Sequence, residues 1–599
     1  CNAAGLYVKS GAIITDIDNV SFANGPGTAG SIFLKVFMGA SGGSYDFTGC
    51  TFDTSTTYNV ATDSAYAAGQ IVTMSQYGGT GGVEAREHDR EGGNLTPEPP
   101  NSIRWARTFQ WTGAVDTTWS TPGNWDAGGI PGPPDANSDA LIPNVLNDPA
   151  MDANGVVRNL RITTGVLSFP DNPNYRLQIY GNLTNETGSI SMPNNGTIET
   201  AGSVPQNVNT GGSALRNLEV NSTSTVTLQS NTTCTGALTV VSGTLATGGF
   251  NLLVSGAASI GAGAVLDIGG GAGEVRISGN FDASSGSVSF SVAGGLLRLG
   301  GGANAIGSFS GGTGKVEYIA GSAQSVAPVA YYNLKVAKTP GTTATLSAGT
   351  TTCTGTLEIT SGTLATGGAT LDASGAGGVT FTGAGTFSIG AGGTVNVAGP
   401  FNSSAGTVSL EGGAILRLFS TSAFGTLAPN TGTVAFVSTT AAQTVPAAAY
   451  YNLRVDKTAQ TATAGAGFTV AGVLDLVSGA FDAAGFTVNI TGSTTVANGA
   501  ALKVGSGTVN SNGAFDATNG TVQLTGTGRL AFGGTVSAAF GSFSAANGST
   551  VAFVSGGAQN VPAVAYHNLE IAKSGGSTAT LSGAAASAAG ALAVNSGTL

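Results

Sequence analysis

The chain repeats itself at a spacing of about 118 residues, and this repeat limits what it can fold into more than any other feature. Val316, Val434 and Val551 each begin a similar segment that ends in Tyr-Tyr-Asn-Leu or Tyr-His-Asn-Leu, and Ile198 begins a more divergent copy. The steps between these four positions are 118, 118 and 117 residues. Such regularity indicates similar units stacked along one axis rather than a single globular core.

Short β-strands separated by glycine turns fill the rest of each repeat. Residues 236–241 and 393–397 alternate apolar and polar side chains, and Ser-Gly, Thr-Gly-Gly, Ala-Gly and Asn-Gly turns lie between such runs. Period-two alternation is typical of strands, and glycine supplies the positive φ that tight corners require. We therefore predict an all-β parallel β-helix, or β-solenoid, in which each long repeat forms about six coils of about 20 residues.

Composition divides the chain into four predicted segments. They are an N-terminal β-helix segment at 1–78, a charged and proline-rich loop or linker at 79–104, a tryptophan-rich junction at 105–155 and the repetitive solenoid at 156–599. Within the last segment the long repeats are about 196–313, 314–431, 432–548 and a partial 549–599. All four tryptophans, Trp105, Trp111, Trp119 and Trp125, lie in the junction, where we expect them to close a solenoid end or to seat one segment on another.

Charge excludes several classes of partner. Only 9% of residues are charged, the formal net charge is −11 and the isoelectric point is near 4.6. An acidic chain is a poor ligand for nucleic acid or for an anionic membrane surface, so neither is expected as a partner. The sequence contains no run of 18 apolar residues, and no membrane-spanning helix is therefore predicted.

The cysteines do not form a pattern typical of a disulfide framework. Cys234 and Cys353 occupy the same position of the repeat, where later copies have Val470 and Ala588. An exchange among cysteine, valine and alanine indicates a small, buried apolar position rather than a metal ligand. Pairing between Cys1 and Cys50 is left open.

The most regular polar positions of the repeat are a glutamine and an asparagine. We interpret them as buried amides that satisfy backbone groups at a coil corner, with sugar binding as the alternative. They are Gln206, Gln324, Gln443 and Gln559, and Asn217, Asn333, Asn452 and Asn568.

Paired tyrosines precede two of these asparagines, at Tyr331–Tyr332 and Tyr450–Tyr451. Successive side chains on a strand point to opposite faces, so one tyrosine of each pair should lie outside. There it would be open to a sugar ring or a neighbouring rod, or it would cover a local gap.

No catalytic or cofactor-binding constellation stands out. Asp282, Asn402 and Asp516 occur once per long repeat and are expected to cap turns. The alternation at residues 135–139 makes Asp135, Asn137 and Asp139 a candidate calcium site, although the glycine and the acid that complete such a loop are absent. The alternative is a capped turn, and we predict neither a catalytic residue nor a cofactor.

A family resemblance can be named from particular stretches. The Trp-Ser-Thr-Pro-Gly-Asn-Trp stretch at 119–125, the Ile-Pro at 130–131, the Asp-Ala-Leu-Ile-Pro at 139–143 and the recurring Gly-Thr-Leu, Ser-Gly and Asn-Leu motifs resemble large bacterial surface β-solenoid proteins. They are broadly similar to filamentous-haemagglutinin and autotransporter-passenger adhesins. The resemblance implies a secreted, non-enzymatic, right-handed parallel β-helix, and it carries over no functional residues.

These observations lead to a functional expectation with two alternatives. We expect a non-enzymatic extracellular structural protein at a bacterial cell surface, forming a long β-solenoid fibre or stalk that could also adhere. One alternative is an adhesin that binds carbohydrate or host protein along its face, and the other is a β-helix carbohydrate-active enzyme. Both ends of the sequence resemble mid-repeat positions, so the expected partners are further coils of the same chain, another subunit end to end, or surface carbohydrate.

Overall fold

The computed structural model describes most of the chain. The described residues are 4–8, 20–23, 32–36, 45–48, 50–53, 58–62, 72–75, 89–90, 103–127, 132–171, 173–269, 271, 273–583 and 585–599. The predicted linker at 79–104 lies almost wholly outside them, as does Cys1.

As predicted, the described residues form an all-β parallel β-solenoid, and it has about 22 turns. A 3-10 turn at Pro122–Asn124 is the only helical element among them, and no helix there is long and apolar enough to cross a membrane. The chain divides into two compact units, Cys1–Asp267 and Ile268–Leu599.

In the first unit the described strands run in parallel register from one turn to the next; among them the exception is the antiparallel pair formed by Thr108–Trp111 and Trp125–Asp126. Its described strands are Ala4–Val8, Ser21–Phe22, Ile32–Val36, Tyr45–Thr48, Thr51–Phe52, Tyr58–Thr62, Val72–Ser75, Asp89–Arg90, Ile103–Ala106, Thr108–Trp111, Trp125–Asp126, Asp139–Ile142, Gly155–Val157, Leu160–Ile162, Val166–Ser168, Arg176–Ile179, Leu183–Asn185, Ser189–Ser191, Thr197–Thr200, Gln206–Asn209, Ala214–Leu215, Asn217–Leu228, Thr232–Cys234, Leu238–Ala246, Leu252–Val254, Ala258–Ile260 and Val265–Asp267.

In the second unit the described strands also pair in parallel with the turns before and after them. They are Glu274–Ile277, Phe281–Ser289, Leu296–Leu299, Asn304–Ser310, Lys315–Tyr318, Gln324–Val326, Ala330–Tyr331, Asn333–Ala337, Thr343–Leu346, Thr350–Cys353, Thr356–Ser361, Thr363–Ala365, Thr370–Ala373, Gly378–Phe381, Thr386–Ile389, Thr394–Val397, Phe401–Leu410, Ile415–Leu418, Ser422–Ala428, Thr433–Phe436, Gln443–Val445, Ala449–Tyr450, Asn452–Ala464, Phe468–Val470, Leu474–Asp482, Thr487–Ile490, Thr494–Val496, Ala500–Val504, Thr508–Ser511, Phe515–Asp516, Thr521–Leu524, Arg529–Phe532, Ser542–Ala545, Thr550–Phe553, Gln559–Pro562, Ala565–Tyr566, Asn568–Ala572, Ala579–Ser582, Ser587–Ala588 and Leu592–Ser596.

A tryptophan cluster packs inside the predicted junction of the first unit. Trp111, Trp119 and Trp125 are buried, and their rings meet edge to face with centroids 5.0 and 4.7 Å apart. Trp125 donates its indole N–H to the carbonyl of Trp119 at 2.8 Å, and Trp111 donates to the carbonyl of Asn147 at 2.6 Å. The three indoles therefore bury their apolar rings while satisfying two N–H groups, which explains why bulky residues are concentrated here.

A turn of the second unit has up to three strands, and equivalent strand segments of successive turns form three stacks; long strands such as Phe401–Leu410 run through two of them. We name them after one turn: stack A contains Thr356–Ser361, stack B contains Thr363–Ala365 and stack C contains Thr370–Ala373. Apolar side chains alternate inward along each strand, as the period-two pattern predicts, and the backbone groups pair with the turns above and below.

Equivalent positions of the long repeat do not remain in one stack. Val316 belongs to stack A, because it pairs through Leu334 with Leu357. Val434 instead belongs to stack C, since its register partner Leu416 continues through Val395 and Leu371.

The equivalent residue of the next copy, Val551, lies in the remaining stack. Val551 lies in register with Leu530, and that stack continues through Val509 and Val488 to Phe468. Phe468–Val470 directly precedes a strand of stack C along the chain, so Val551 belongs to stack B. Sequence-equivalent residues therefore lie on three different sides of the solenoid.

Candidate functional site

The repeated glutamine is buried and bonds to the backbone of its own turn and of the turn before. Gln443 donates from Nε2 to the carbonyls of Leu418 and Ser420 at 2.9 and 2.8 Å, and its Oε1 accepts the N–H of Ser438 at 3.1 Å. The other copies make the same kind of bonds; they are Gln206, Gln324 and Gln559. These amides hold adjacent turns together, and none is open to a sugar.

A buried lysine completes this arrangement in three copies, and the sequence interpretation missed it. Lys457 donates from Nζ to Gln443 Oε1 at 2.7 Å and to the carbonyls of Ser438 and Ala441 at 3.1 and 3.0 Å. Lys338 and Lys573 make equivalent bonds to their own glutamines. Each lysine is 0–1% exposed, so uncharged acceptors, three for Lys338 and Lys457 and two for Lys573, replace the water that a lysine ordinarily keeps.

The signal for these lysines was present in the sequence. Lysine and arginine together number only 21 residues, yet a lysine recurs four positions after the repeated Asn-Leu in three copies. The first copy differs, because Ser222 is buried at the corresponding place and donates to the carbonyl of Gly202 at 2.7 Å. The spacing alone does not indicate that these lysines are inside, because lysine is rarely buried.

The lysines predict a stability that rises with pH. Burial lowers the pKa of Lys338 and of Lys457 from 10.5 to about 8. Above pH 8 the unfolded chain then holds more protons than the folded one, so the free energy of unfolding should increase until the unfolded lysines also titrate near 10.5. Between pH 8 and 9 the expected gain is about 1 kcal/mol for each lysine.

This pH dependence is measurable as a difference between two proteins. Urea midpoints followed by circular dichroism at pH 8 and pH 9 should rise more for the wild type than for Lys457→Met. The useful pH range ends near pH 9, because burial raises the pKa of Cys234 and Cys353 in the folded protein. Their ionisation on unfolding then opposes the rise in the free energy of unfolding. An identical rise in both proteins would show that Lys457 remains charged in the folded state.

The repeated asparagine also bridges turns. Asn452 accepts the N–H of Val473 in the following turn at 2.9 Å and donates to the carbonyl of Thr431 in the preceding turn at 3.4 Å. The same acceptor bond is made in the other three copies, by Asn217, Asn333 and Asn568. The asparagine is thus a structural corner residue whose oxygen serves the next turn.

The paired tyrosines divide between inside and outside. Tyr331 and Tyr450 are buried, and their hydroxyls donate to the carbonyls of Ala327 and Pro446 at 2.8 and 2.7 Å. Tyr332 is 37% exposed, while Tyr451 is half-buried. Because the two copies begin in different stacks, the outward tyrosines lie at different corners and do not line one side.

The candidate calcium residues are engaged within their own loop and with the next turn. Asp135 accepts the N–H of Asn137 at 3.0 Å, and Asp139 accepts two bonds from Arg158 at 2.8 Å each. Among the described residues no group of three or more His, Cys, Asp or Glu side chains is placed to hold a metal ion. The geometry of Asp135 is that of a capped turn.

The two aspartates and the asparagine that occur once per long repeat likewise make local bonds. Asp282, Asn402 and Asp516 each accept the backbone N–H two residues later, at 3.0, 3.1 and 2.9 Å respectively. Hydrogen bonds from the side chain and backbone of Ser284 keep the pKa of Asp282 below its ordinary value, and those from the backbone and side chain of Thr518 do the same for Asp516. Such Asx turns explain the recurrence of these residues without any catalytic role.

Two cysteines lie inside the solenoid, at the small apolar position that the repeat predicts. Cys234 and Cys353 are fully buried, and burial raises their pKa to about 12 and about 11. A thiol-reactive probe should therefore leave both unmodified in native buffer while it labels them fully in denaturant, as read by peptide mass spectrometry. Rapid native labelling of either residue would place it at the surface.

Comparison with known proteins adds no relative. The sequence matches no protein-family model, and neither the curated proteins nor the solved structures include a match.

Proposed function

We propose that this chain is a non-enzymatic extracellular structural protein of a bacterium, a right-handed β-solenoid that serves as a fibre or stalk. The observation that carries the proposal is the direction of its most regular polar side chains. The repeated glutamine, asparagine and lysine turn toward neighbouring turns and bond to them, as Gln443, Asn452 and Lys457 do. Because the most regular polar positions of the repeat join neighbouring turns, the repeat is suited to bearing load along the solenoid axis.

The long repeat supports this role in a second way. We propose that each unit of about 118 residues makes nearly six coils, with the shift of stack from Val316 to Val434 as its consequence. The glutamine–lysine pairs are then distributed around the solenoid, so no side of the second unit is left without them.

We further propose that assembly is end to end. A solenoid turn with no neighbour exposes unpaired backbone groups, which favours contact with another turn. The net charge of −11 opposes lateral association of such rods more than axial contact. Sedimentation velocity at increasing protein concentration should show a series of species that lengthen, and compact lateral aggregates would contradict this arrangement.

Localisation provides the direct test of the proposal. Gold-labelled antibodies against the chain, applied to intact cells that produce it naturally, should mark thin projections or secreted fibres in electron micrographs. A control antibody against a cytoplasmic protein should mark only permeabilised cells. Labelling restricted to permeabilised cells would overturn an extracellular structural role.

The adhesin alternative has one observation in its favour, a surface groove in stack C. It is lined by outward side chains of several turns, including Arg417, Thr433 and Arg454.

A further inference from the structure

One outward position of stack C places two arginines on either side of an alanine. Arg417, Ala435, Arg454 and Asp475 are in register on four successive turns. Because turns are about 4.8 Å apart, the two guanidinium groups can both reach the space above Ala435. An open groove lies there, lined by these residues together with Thr433 and others.

The preceding copy of the repeat shows what occupies this space elsewhere. There the register is Arg298, Glu317 and Lys335, so a glutamate takes the place of Ala435. The Glu317 carboxylate lies 2.5 Å from Arg298 and 3.8 Å from Lys335, and its side chain is only 7% exposed. A carboxylate held between cations of adjacent turns is thus built into this copy.

The first copy also buries a carboxylate at this position, although its register neighbours there are Gln178 and Glu219. Glu199 is 1% exposed, lies 2.5 Å from Arg176 and accepts bonds from Gln178 and Asn221 at 2.9 and 3.1 Å. Two independent copies therefore show that the position accommodates a carboxylate with cationic and amide donors around it.

Ala435 removes that carboxylate and leaves both arginines. Within the described part of the chain, no carboxylate lies within 4.0 Å of the Arg417 guanidinium. Arg454 lies 3.5 Å from Asp456 and 3.6 Å from Asp475, on its own turn and the following one.

In the fourth copy an arginine near this position is paired with a carboxylate of the same chain. This copy also has an alanine, Ala552, but the next turn supplies Glu570, and Arg529 reaches that carboxylate at 3.1 Å. Of the two copies with an alanine at this position, only the one with Ala435 has arginines on both flanking turns, and Ala435 is 1% exposed between them.

We propose that the groove above Ala435 binds a carboxylate-bearing saccharide, whose carboxylate takes the position that Glu317 occupies in the preceding copy. Arg417 and Arg454 supply planar, forked donors that match a carboxylate. Thr433 offers a hydroxyl group and Asp456 and Asp475 offer carboxylate acceptors for sugar hydroxyls along the groove. The Thr495 hydroxyl already donates to Asp475 at 2.9 Å, and the Asn452 amide is bonded to the turns on either side. This binding activity goes beyond the structural role proposed above.

The dimensions and the backbone favour an oligosaccharide over a peptide. The lining extends from Ile415 to Thr495 over five successive turns, a span of about 19 Å that accommodates several sugar units. Strands of stack C pair on both sides, as Thr433–Phe436 does, so they offer no free edge to which a peptide strand could add.

Titration calorimetry with a tetrasaccharide of galacturonic acid tests the proposal. Ala435→Glu should weaken binding at least about tenfold, because its own carboxylate would fill the site as Glu317 does; Arg417→Gln should weaken it by about as much. The matched control is Arg529→Gln, which removes the same charge from an arginine already paired with Glu570, and it should bind as the wild type does.

Other outcomes overturn the proposal. They are absence of wild-type binding, equal binding of the fully methyl-esterified tetrasaccharide, equal binding of a glutamate hexapeptide, or unchanged affinity in both site variants. Circular dichroism of each variant verifies the fold, and Ala435→Glu is expected to be well tolerated because Glu199 and Glu317 already occupy that position in their copies.

Discussion

Replacing Gly378 with alanine is expected to destabilise the second unit by about 3–5 kcal/mol, among the largest effects of any single substitution in this chain. Gly378 has a φ of +62°, and an added Cβ would lie 1.9 Å from the carbonyl oxygen of Pro400 in the next turn. That oxygen also accepts the N–H of Val379 at 2.9 Å, so the clash cannot be relieved without breaking a bond between turns.

A matched glycine separates the clash from backbone strain. Gly392 has a φ of +70°, but an added Cβ would have nothing within 4 Å. Gly392→Ala should therefore cost only about 1 kcal/mol, the strain of a left-handed conformation. Hydrogen exchange followed by mass spectrometry, read on peptides covering 375–403, should show much faster exchange for Gly378→Ala alone. Equal exchange in both variants would contradict the close approach of Pro400.

Replacing Gln443 with leucine should cost about 3–5 kcal/mol, since it leaves a buried ammonium and several backbone groups short of partners. Lys457 would lose its bond to Gln443 Oε1, and the carbonyls of Leu418 and Ser420 would each lose a donor. Leucine has a similar volume, so the loss would come from polar groups rather than from a cavity.

Two controls make this second result specific. Thr444→Val changes the neighbouring exposed residue and should leave stability within about 0.5 kcal/mol of the wild type. The double variant Gln443→Leu with Lys457→Met removes the stranded ammonium and should recover part of the loss. Hydrogen exchange at residues 418–464 measures the stability of Gln443→Leu, of Thr444→Val and of the double variant. If Gln443→Leu were as stable as the wild type, the amide bonds of Gln443 would contribute little.

Much of the local structure could be predicted from the sequence, because it depends on neighbours along the chain. Period-two alternation predicted that one tyrosine of each pair lies outside, since successive side chains of a strand must diverge, and the structure shows Tyr331 inside and Tyr332 outside. The exchange of Cys353 with valine and alanine in other copies identified a small buried position. Repeated amides such as Gln443 were recognised as partners of backbone groups.

The groove and the buried lysines required knowledge of which turns touch. Lys457 is acceptable inside only because Gln443 and two carbonyls surround it, and sequence spacing does not show those contacts. Likewise, Ala435 is unremarkable as a residue and becomes informative only between Arg417 and Arg454.

The sequence by itself determined the all-β parallel solenoid, the strand and turn pattern and the side of each strand that is buried, because these follow from alternation and glycine placement within a few residues. Only the tertiary structure decided which stack each strand enters. Val316, Val434 and Val551 are equivalent in sequence yet lie in stacks A, C and B. The physical reason is that local alternation decides which face of a strand is buried. The stack that the strand enters depends instead on the number of corners in all the turns before it.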